Sequence, residues 1–112
     1  MRRSKYRNQP TVIDGIRFDS KREAKRYQEL RYLSQIGEIK LLRRQIPYVL
    51  VPAVEMEGRY RRPITYKADF VYFDNKTNQE IVEDVKGVVT PVYNMKRHLM
   101  KSVHNIDILE TR

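Results

Sequence analysis

Ile81, Val82, Val85 and Val88 give residues 81–88, IVEDVKGV, the pattern of a buried β-strand, yet Glu83, Asp84 and Lys86 put three ionisable groups within four positions. Burying a charge is costly unless it is paired or bound to an ion, so any fold that contains this strand must supply partners. Side chains alternate along a strand, which assigns Asp84 and Lys86 to one face and Glu83 and Val85 to the other. The preceding run, PITYKADFVYF at 63–73, is rich in β-branched and aromatic residues and carries Asp69 between Ala68 and Phe70.

With Asn75-Lys76-Thr77-Asn78 as a four-residue loop, these two runs form a hairpin whose partners have numbers summing to 153. Asp69 then faces Asp84, and Lys67 faces Lys86. Directly opposed side chains have Cβ atoms about 4.5–5.5 Å apart, where like charges are destabilising. Two carboxylates aimed at one point need a proton or a cation between them. Mg²⁺ suits such a pair, because it takes carboxylate oxygens and keeps several waters. The same spacing is compatible with two acids on a solvated sheet face, with Lys86 as an ion-pair partner.

Upstream, TVIDGIRF alternates around Asp14-Gly15, a hairpin-turn dipeptide, and predicts a small two-stranded flap. Ser20 opens a helix of about sixteen residues that Gly37 ends in a left-handed cap. Glu23 lies on or beside the apolar stripe of that helix, and Ser20-x-x-Glu23 also has capping-box spacing. Capping and metal binding compete for this carboxylate. EIKLLRRQIPYVLVP reads as a first long strand in which Pro47 requires a bulge or an edge position. VEMEGRYRR turns the chain at Gly58. After Gly87 and Pro91 a second helix is expected over about 92–103, with Val92, Met95, Leu99 and Val103 as its core stripe. NIDILET gives a short last strand. The order is helix, three strands, helix, strand: a mixed α/β domain over 11–112, preceded by a basic, flexible arm at 1–10.

Lys and Arg number 23 against 14 acids, a net charge of +9. Such an excess favours polyanions, whose neutralised phosphates release counterions. The cations are clustered rather than spread: Arg2, Arg3, Lys5 and Arg7; Arg43 and Arg44; Arg59, Arg61 and Arg62; Lys96, Arg97 and Lys101. The absence of cysteine excludes disulfides and thiolate metal sites, and His98 and His104 have no partner at metal spacing. No apolar run approaches membrane-spanning length, and no signal-peptide pattern is present. A soluble cytoplasmic protein, with no membrane partner and no organic cofactor, is expected.

Asp69, followed after fourteen residues by Asp84-Val85-Lys86, resembles the signature of the PD-(D/E)XK nuclease superfamily, and Glu23 resembles its first-helix acid. The αβββαβ order is similar to that superfamily's restriction-endonuclease-like core. KYRNQPTVIDGIRFDSKREAKRYQEL, LRRQIPYVL, YKADFVYF and EDVKG resemble a phage and prophage branch of unknown function, along nearly the whole chain. Ala68 stands where the superfamily's name has proline.

The resemblance implies that Asp69, Asp84 and the Val85 carbonyl hold Mg²⁺ or Mn²⁺, with Glu23 supporting the metal directly or through water. It implies that Lys86 orients the attacking water and stabilises charge on the scissile phosphate, leaving a 5′-phosphate and a 3′-hydroxyl. Gln45 is expected near the active edge, binding a water or the Lys86 amine, or serving as an ordinary polar strand residue. The DNA contacts expected are Arg2, Arg3, Lys5, Arg7, Arg43, Arg44, Tyr93, Lys96 and Arg97, though the helix residues among them also suit a solvated face. The function expected is a metal-dependent DNA endonuclease, phage-encoded, with selectivity for branched or recombining DNA, cutting duplexes as a homodimer. Its rivals are a non-catalytic DNA-binding protein, an interaction subunit of a phage assembly, and an RNase with the same site.

Overall fold

The computed structural model of the chain describes residues 10–112, so the expected arm, with Arg2, Arg3, Lys5 and Arg7, lies outside the described residues except for Pro10. β1 (Thr11–Ile13) and β2 (Ile16–Phe18) form the expected flap. Asp14 and Gly15 both take positive φ, +53° and +75°, the signature of a type I′ turn. α1 (Lys21–Gln35) starts at Ser20, whose Oγ accepts the Glu23 amide at 3.3 Å. Past its end, Gly37 has φ +81°, a conformation glycine adopts without steric cost.

Three long strands follow: β3 (Ile39–Val51), then β6 (Ile64–Asp74) and β7 (Gln79–Val85), with the hairpin of β4 (Val54–Met56) and β5 (Arg59–Arg61) inserted after the first. The sequence announced that insertion only as a turn at Gly58. α2 (Pro91–His104) is capped by Thr90, whose Oγ1 accepts the Tyr93 amide at 3.1 Å, and stops at Asn105 in the left-handed region. β8 (Leu109–Thr111) then pairs parallel to β7. The sheet order is β3-β6-β7-β8, antiparallel but for that last pair, giving a mixed sheet with one helix on each face. Pro47 sits on the edge strand β3, as its missing N–H requires.

One core cluster packs α1 and the flap on the sheet through Phe18, Tyr27, Leu30, Phe70 and Tyr72. The other packs α2 on the opposite face through Leu50, Tyr66, Val82, Tyr93 and Met100. The expected α2 stripe is therefore corrected. Val92, Met95 and Val103 are 57%, 51% and 50% exposed, and only Leu99 of that set packs against the core. Tyr93 and Met100, one position round the helix, fill the interior, because the larger side chains remove more apolar surface from water. Val88 also leaves the strand and is exposed.

The β6–β7 register is the expected one: Asp74 faces Gln79 and Phe70 faces Glu83 across a loop of residues 75–78. Pairing stops there, one step short of Asp69 and Asp84. Alternation is regular in β7 but slips by one residue in the middle of β6. Tyr66 and Ala68 pack on the α2 side, as does Val71, while Phe70 and Tyr72 pack on the α1 side. β3 slips at the facing step, with Leu42 beneath α1 and Ile46, Tyr48 and Leu50 toward α2.

Candidate active site

The slip is centred on Gln45, which has φ +52° and interrupts the β3–β6 pairing between Arg44↔Phe70 and Ile46↔Ala68. A non-glycine residue in that region of backbone space costs about 1–3 kcal/mol and is found mainly where function or packing imposes it. Facing it, Asp69 turns its side chain to neighbouring groups. Its Oδ2 accepts the Val85 amide at 2.8 Å, and its Oδ1 accepts Gln45 Nε2 at 3.4 Å. The same Gln45 nitrogen donates to Glu23 Oε2 at 3.2 Å, so one amide joins the acid of α1 to the acid of β6. Arg44 donates to that Glu23 oxygen as well, at 3.3 Å, and its guanidinium lies 4.4 Å from the Phe18 ring centre. The Ser20–Glu23 box is thus made only by the serine; the Glu23 carboxylate points to the sheet.

Asp84 is almost wholly buried. Its Oδ2 accepts a short hydrogen bond, 2.5 Å, from the Tyr66 hydroxyl. Its Oδ1 has Lys86 Nζ at 3.2 Å, within ion-pair range but without hydrogen-bond geometry, and is otherwise unpartnered. Lys86 Nζ stands 4.0 Å above the Tyr93 ring centre, a cation–π contact that holds the ammonium over α2. Glu23, Asp69, Asp84 and Lys86 line a single cleft of about 390 Å³, with Tyr66, Tyr93 and Lys96 also on its wall. A larger cleft of about 540 Å³, behind α2, is lined by Arg97, His98, Lys101 and Asp107 and has no comparable convergence of acids.

Crowding of negative charge shows in the proton affinities. Burial, followed by the charges of Asp84 and Glu23, pushes the Asp69 carboxyl up to about 7, against the opposing pull of the Val85 amide and Gln45. Burial and the hydrogen bond to Asp84 raise the Tyr66 hydroxyl far above its ordinary value. Among the described residues no group of three or more His, Cys, Asp or Glu side chains is gathered closely enough to form a ready metal cage.

Sequence reasoning placed Asp69, Asp84, Lys86, Glu23 and Gln45, and the structure brings all five together. It missed Tyr66, because strict alternation assigns residue 66 to the face away from Asp84. It also left Glu83 without a partner. Glu83, fully buried on the α1 face, receives Arg26 through two hydrogen bonds of 2.6 and 3.0 Å, the Tyr72 hydroxyl at 2.6 Å and Thr111 at 3.0 Å. No local signal links Arg26 to Glu83 across the chain. Of the expected DNA contacts, Arg43 pairs with Glu80 at 3.4 Å, Arg44 with Glu23, and Arg97 with Glu110 at 2.7 Å. Tyr93 is buried beneath Lys86 on the wall of the cleft, Lys96 also lines it, and Arg97 does not.

Fold and site define a mixed α/β protein with one acid-lined, lysine-bearing cleft at a break in its sheet. Residues 3–109 match the family described as "Protein of unknown function (DUF1064)", and the chain belongs to that family. No curated protein and no solved structure matches the chain. No helix among the described residues is long and apolar enough to cross a membrane.

Proposed function

We propose that this protein is a metal-dependent DNA endonuclease with a PD-(D/E)XK-type site on a restriction-endonuclease-like core. The observation that carries the reading is the meeting of Asp69, Asp84 and Lys86 in one cleft, with Asp84 Oδ1 buried and without a hydrogen bond. A buried carboxylate oxygen that lacks a hydrogen bond is costly even with Lys86 Nζ 3.2 Å away, and a cation at this point relieves both that cost and the repulsion between the acids. Two carboxylates suit Mg²⁺ or Mn²⁺, which retain waters and do not need an all-protein cage. When bound, such an ion supplies Lewis-acid charge neutralisation at a phosphodiester and lowers the pKa of a water.

The chain's own residues account for the rest. Asp69 and Asp84 would hold the ion, together with the Val85 carbonyl. Glu23, tied to Asp69 by the Gln45 amide, would support it from α1 directly or through water. Lys86, held between Asp84 and the Tyr93 ring, donates to the attacking water and to the non-bridging phosphate oxygen, where negative charge grows. Gln45 fixes the spacing of Glu23 and Asp69.

The test is incubation of supercoiled plasmid and of branched DNA with Mg²⁺ or Mn²⁺, beside an Asp84→Ala protein. Nicking by the wild type alone is expected. DNA binding with no nicking by either protein leaves the non-catalytic DNA-binding reading, and no affinity even at low salt leaves an interaction subunit.

A further inference from the structure

The cations divide into two groups. Arg43, Arg44 and Arg97 are each engaged by an acid, whereas among the described residues Arg59, Arg61, Arg62, Lys67 and Lys96 make no ion pair. Three of these unpaired cations lie on or just after the β4–β5 hairpin. That ribbon is exposed at every strand position, on both faces, including Tyr60 at 67%. A two-stranded ribbon with no core beneath it gains little stability of its own.

Its register makes the faces unequal. Val54 pairs with Arg61 and Met56 with Arg59, so these four share one face, while Glu55 and Tyr60 share the other. One side is basic and apolar; of the two acids, Glu55 is turned away from it and Glu57 lies in the turn. The ribbon is also continuous with the site. Lys96 lines the acid cleft and also a neighbouring cleft of about 460 Å³ with Arg62, Pro63, Ile64 and Thr65. Arg61 is six residues from Lys67, a reach of at most ~20 Å, or about six base-pair steps.

We propose that the β4–β5 hairpin holds duplex DNA, its Val54/Met56/Arg59/Arg61 face seated in the major groove, and that Arg62, Lys67 and Lys96 carry the phosphate backbone from there to the cleft. The major groove of B-form DNA admits a two-stranded β-ribbon; the deep, narrow one of A-form RNA does not. Only the direction of the track, toward a cutting site, rests on the nuclease reading.

The experiment is fluorescence anisotropy of a labelled linear DNA duplex, in EDTA, across a salt series. R59Q/R61Q/R62Q is expected to bind at least ~10-fold more weakly, with a log K against log[salt] slope shallower by at least about 1, at about 0.9 for the lost phosphate contact of Arg62. R31Q/K40Q/K76Q removes three charges elsewhere and is expected to change affinity less than ~3-fold. Met56→Glu, which adds an acid to the proposed DNA face and removes no cation, is expected to weaken binding as well. Melting temperatures of all variants check that each is folded. Equal weakening by the two triple variants, unchanged binding by Met56→Glu, or equal wild-type affinity for duplex RNA overturns the proposal. Since this readout needs no turnover, wild-type binding without nicking in Mg²⁺ sinks the nuclease reading alone, and nicking with undiminished binding by R59Q/R61Q/R62Q sinks the ribbon alone.

Discussion

Gln45 and Asp69 face each other at the step where β3 and β6 both lose side-chain alternation, Gln45 with φ +52° and its amide 3.4 Å from the Asp69 carboxylate. The break sets the Asp69 side chain where Glu23 of α1 and Asp84 of β7 both act on it. Regular strands would leave the acids of the helix and the sheet on opposite sides.

Removing the Asp84 charge tests the proposed metal site and the hydrogen-bond network together. Asp84→Asn keeps an acceptor for the Tyr66 hydroxyl, so the fold is expected to persist, with a melting temperature within a few degrees of the wild type. Nicking is expected to fall by at least ~10²-fold, as for loss of a group that stabilises developing charge. Mn²⁺ is expected to raise the melting temperature of the wild type only, by mass action on the folded state.

The Asp69 carboxyl makes metal-free stability depend on pH. Its folded value, about 7, lies above the ordinary 3.8. A raised carboxyl pKa contributes stability in full below the unfolded value, and that contribution is lost as pH rises through about 7. The interval is worth at most ~4 kcal/mol. Metal-free protein is therefore expected to melt lower at pH 8 than at pH 6, and Asp69→Asn to flatten the dependence and be the more stable at pH 8. Under the proposed function protons and metal compete for this carboxylate, so stabilisation by Mn²⁺ is expected to grow over the same range. Thermal melts with and without metal check both.

Arg26 and Glu83 form a buried ion pair whose members are expected to fail separately and be replaceable together. Arg26→Met leaves a buried carboxylate facing Tyr72 and Thr111 alone and is expected to cost ~3–5 kcal/mol. Adding Glu83→Gln should recover a large part of that loss. Urea unfolding of the two singles and the double reads the coupling.

Tyr93 separates ring from hydroxyl. The ring carries Lys86, while the hydroxyl is buried without a hydrogen-bond partner. Tyr93→Phe keeps the ring and removes an unsatisfied group, so stability is expected to stay equal or rise by about 1 kcal/mol, with nicking retained. Tyr93→Leu removes the cation–π contact and is expected to reduce nicking ~10-fold more than it does affinity for DNA. Parallel melting, nicking and binding measurements resolve the two.

Much of the framework was legible in short stretches. Asp14-Gly15 fixed the flap turn, Ser20 and Gly37 bounded α1, and the loop at 75–78 set the β6–β7 register that aims Asp69 toward Asp84. Turn and cap preferences act over a few residues, so a linear reading reaches them. The buried face of α2 was not legible in this way. Val92-Met95-Leu99-Val103 and Tyr93-Met100 both repeat at helical spacing, and only the shape of the sheet beneath selects the second.

The amino-acid sequence by itself determined the flap, both helices and the four strands of the main sheet, their order, and the pairing that brings two aspartates and a lysine to one end of a hairpin. Tertiary structure alone decided that Tyr66 reaches Asp84, that Glu23 turns from its cap to Gln45, and that Arg26 neutralises Glu83. Each of these depends on a strand slip or on a contact between distant segments. Periodicity carries no record of either, because it fixes spacing along one element and not the rotation of one element against another.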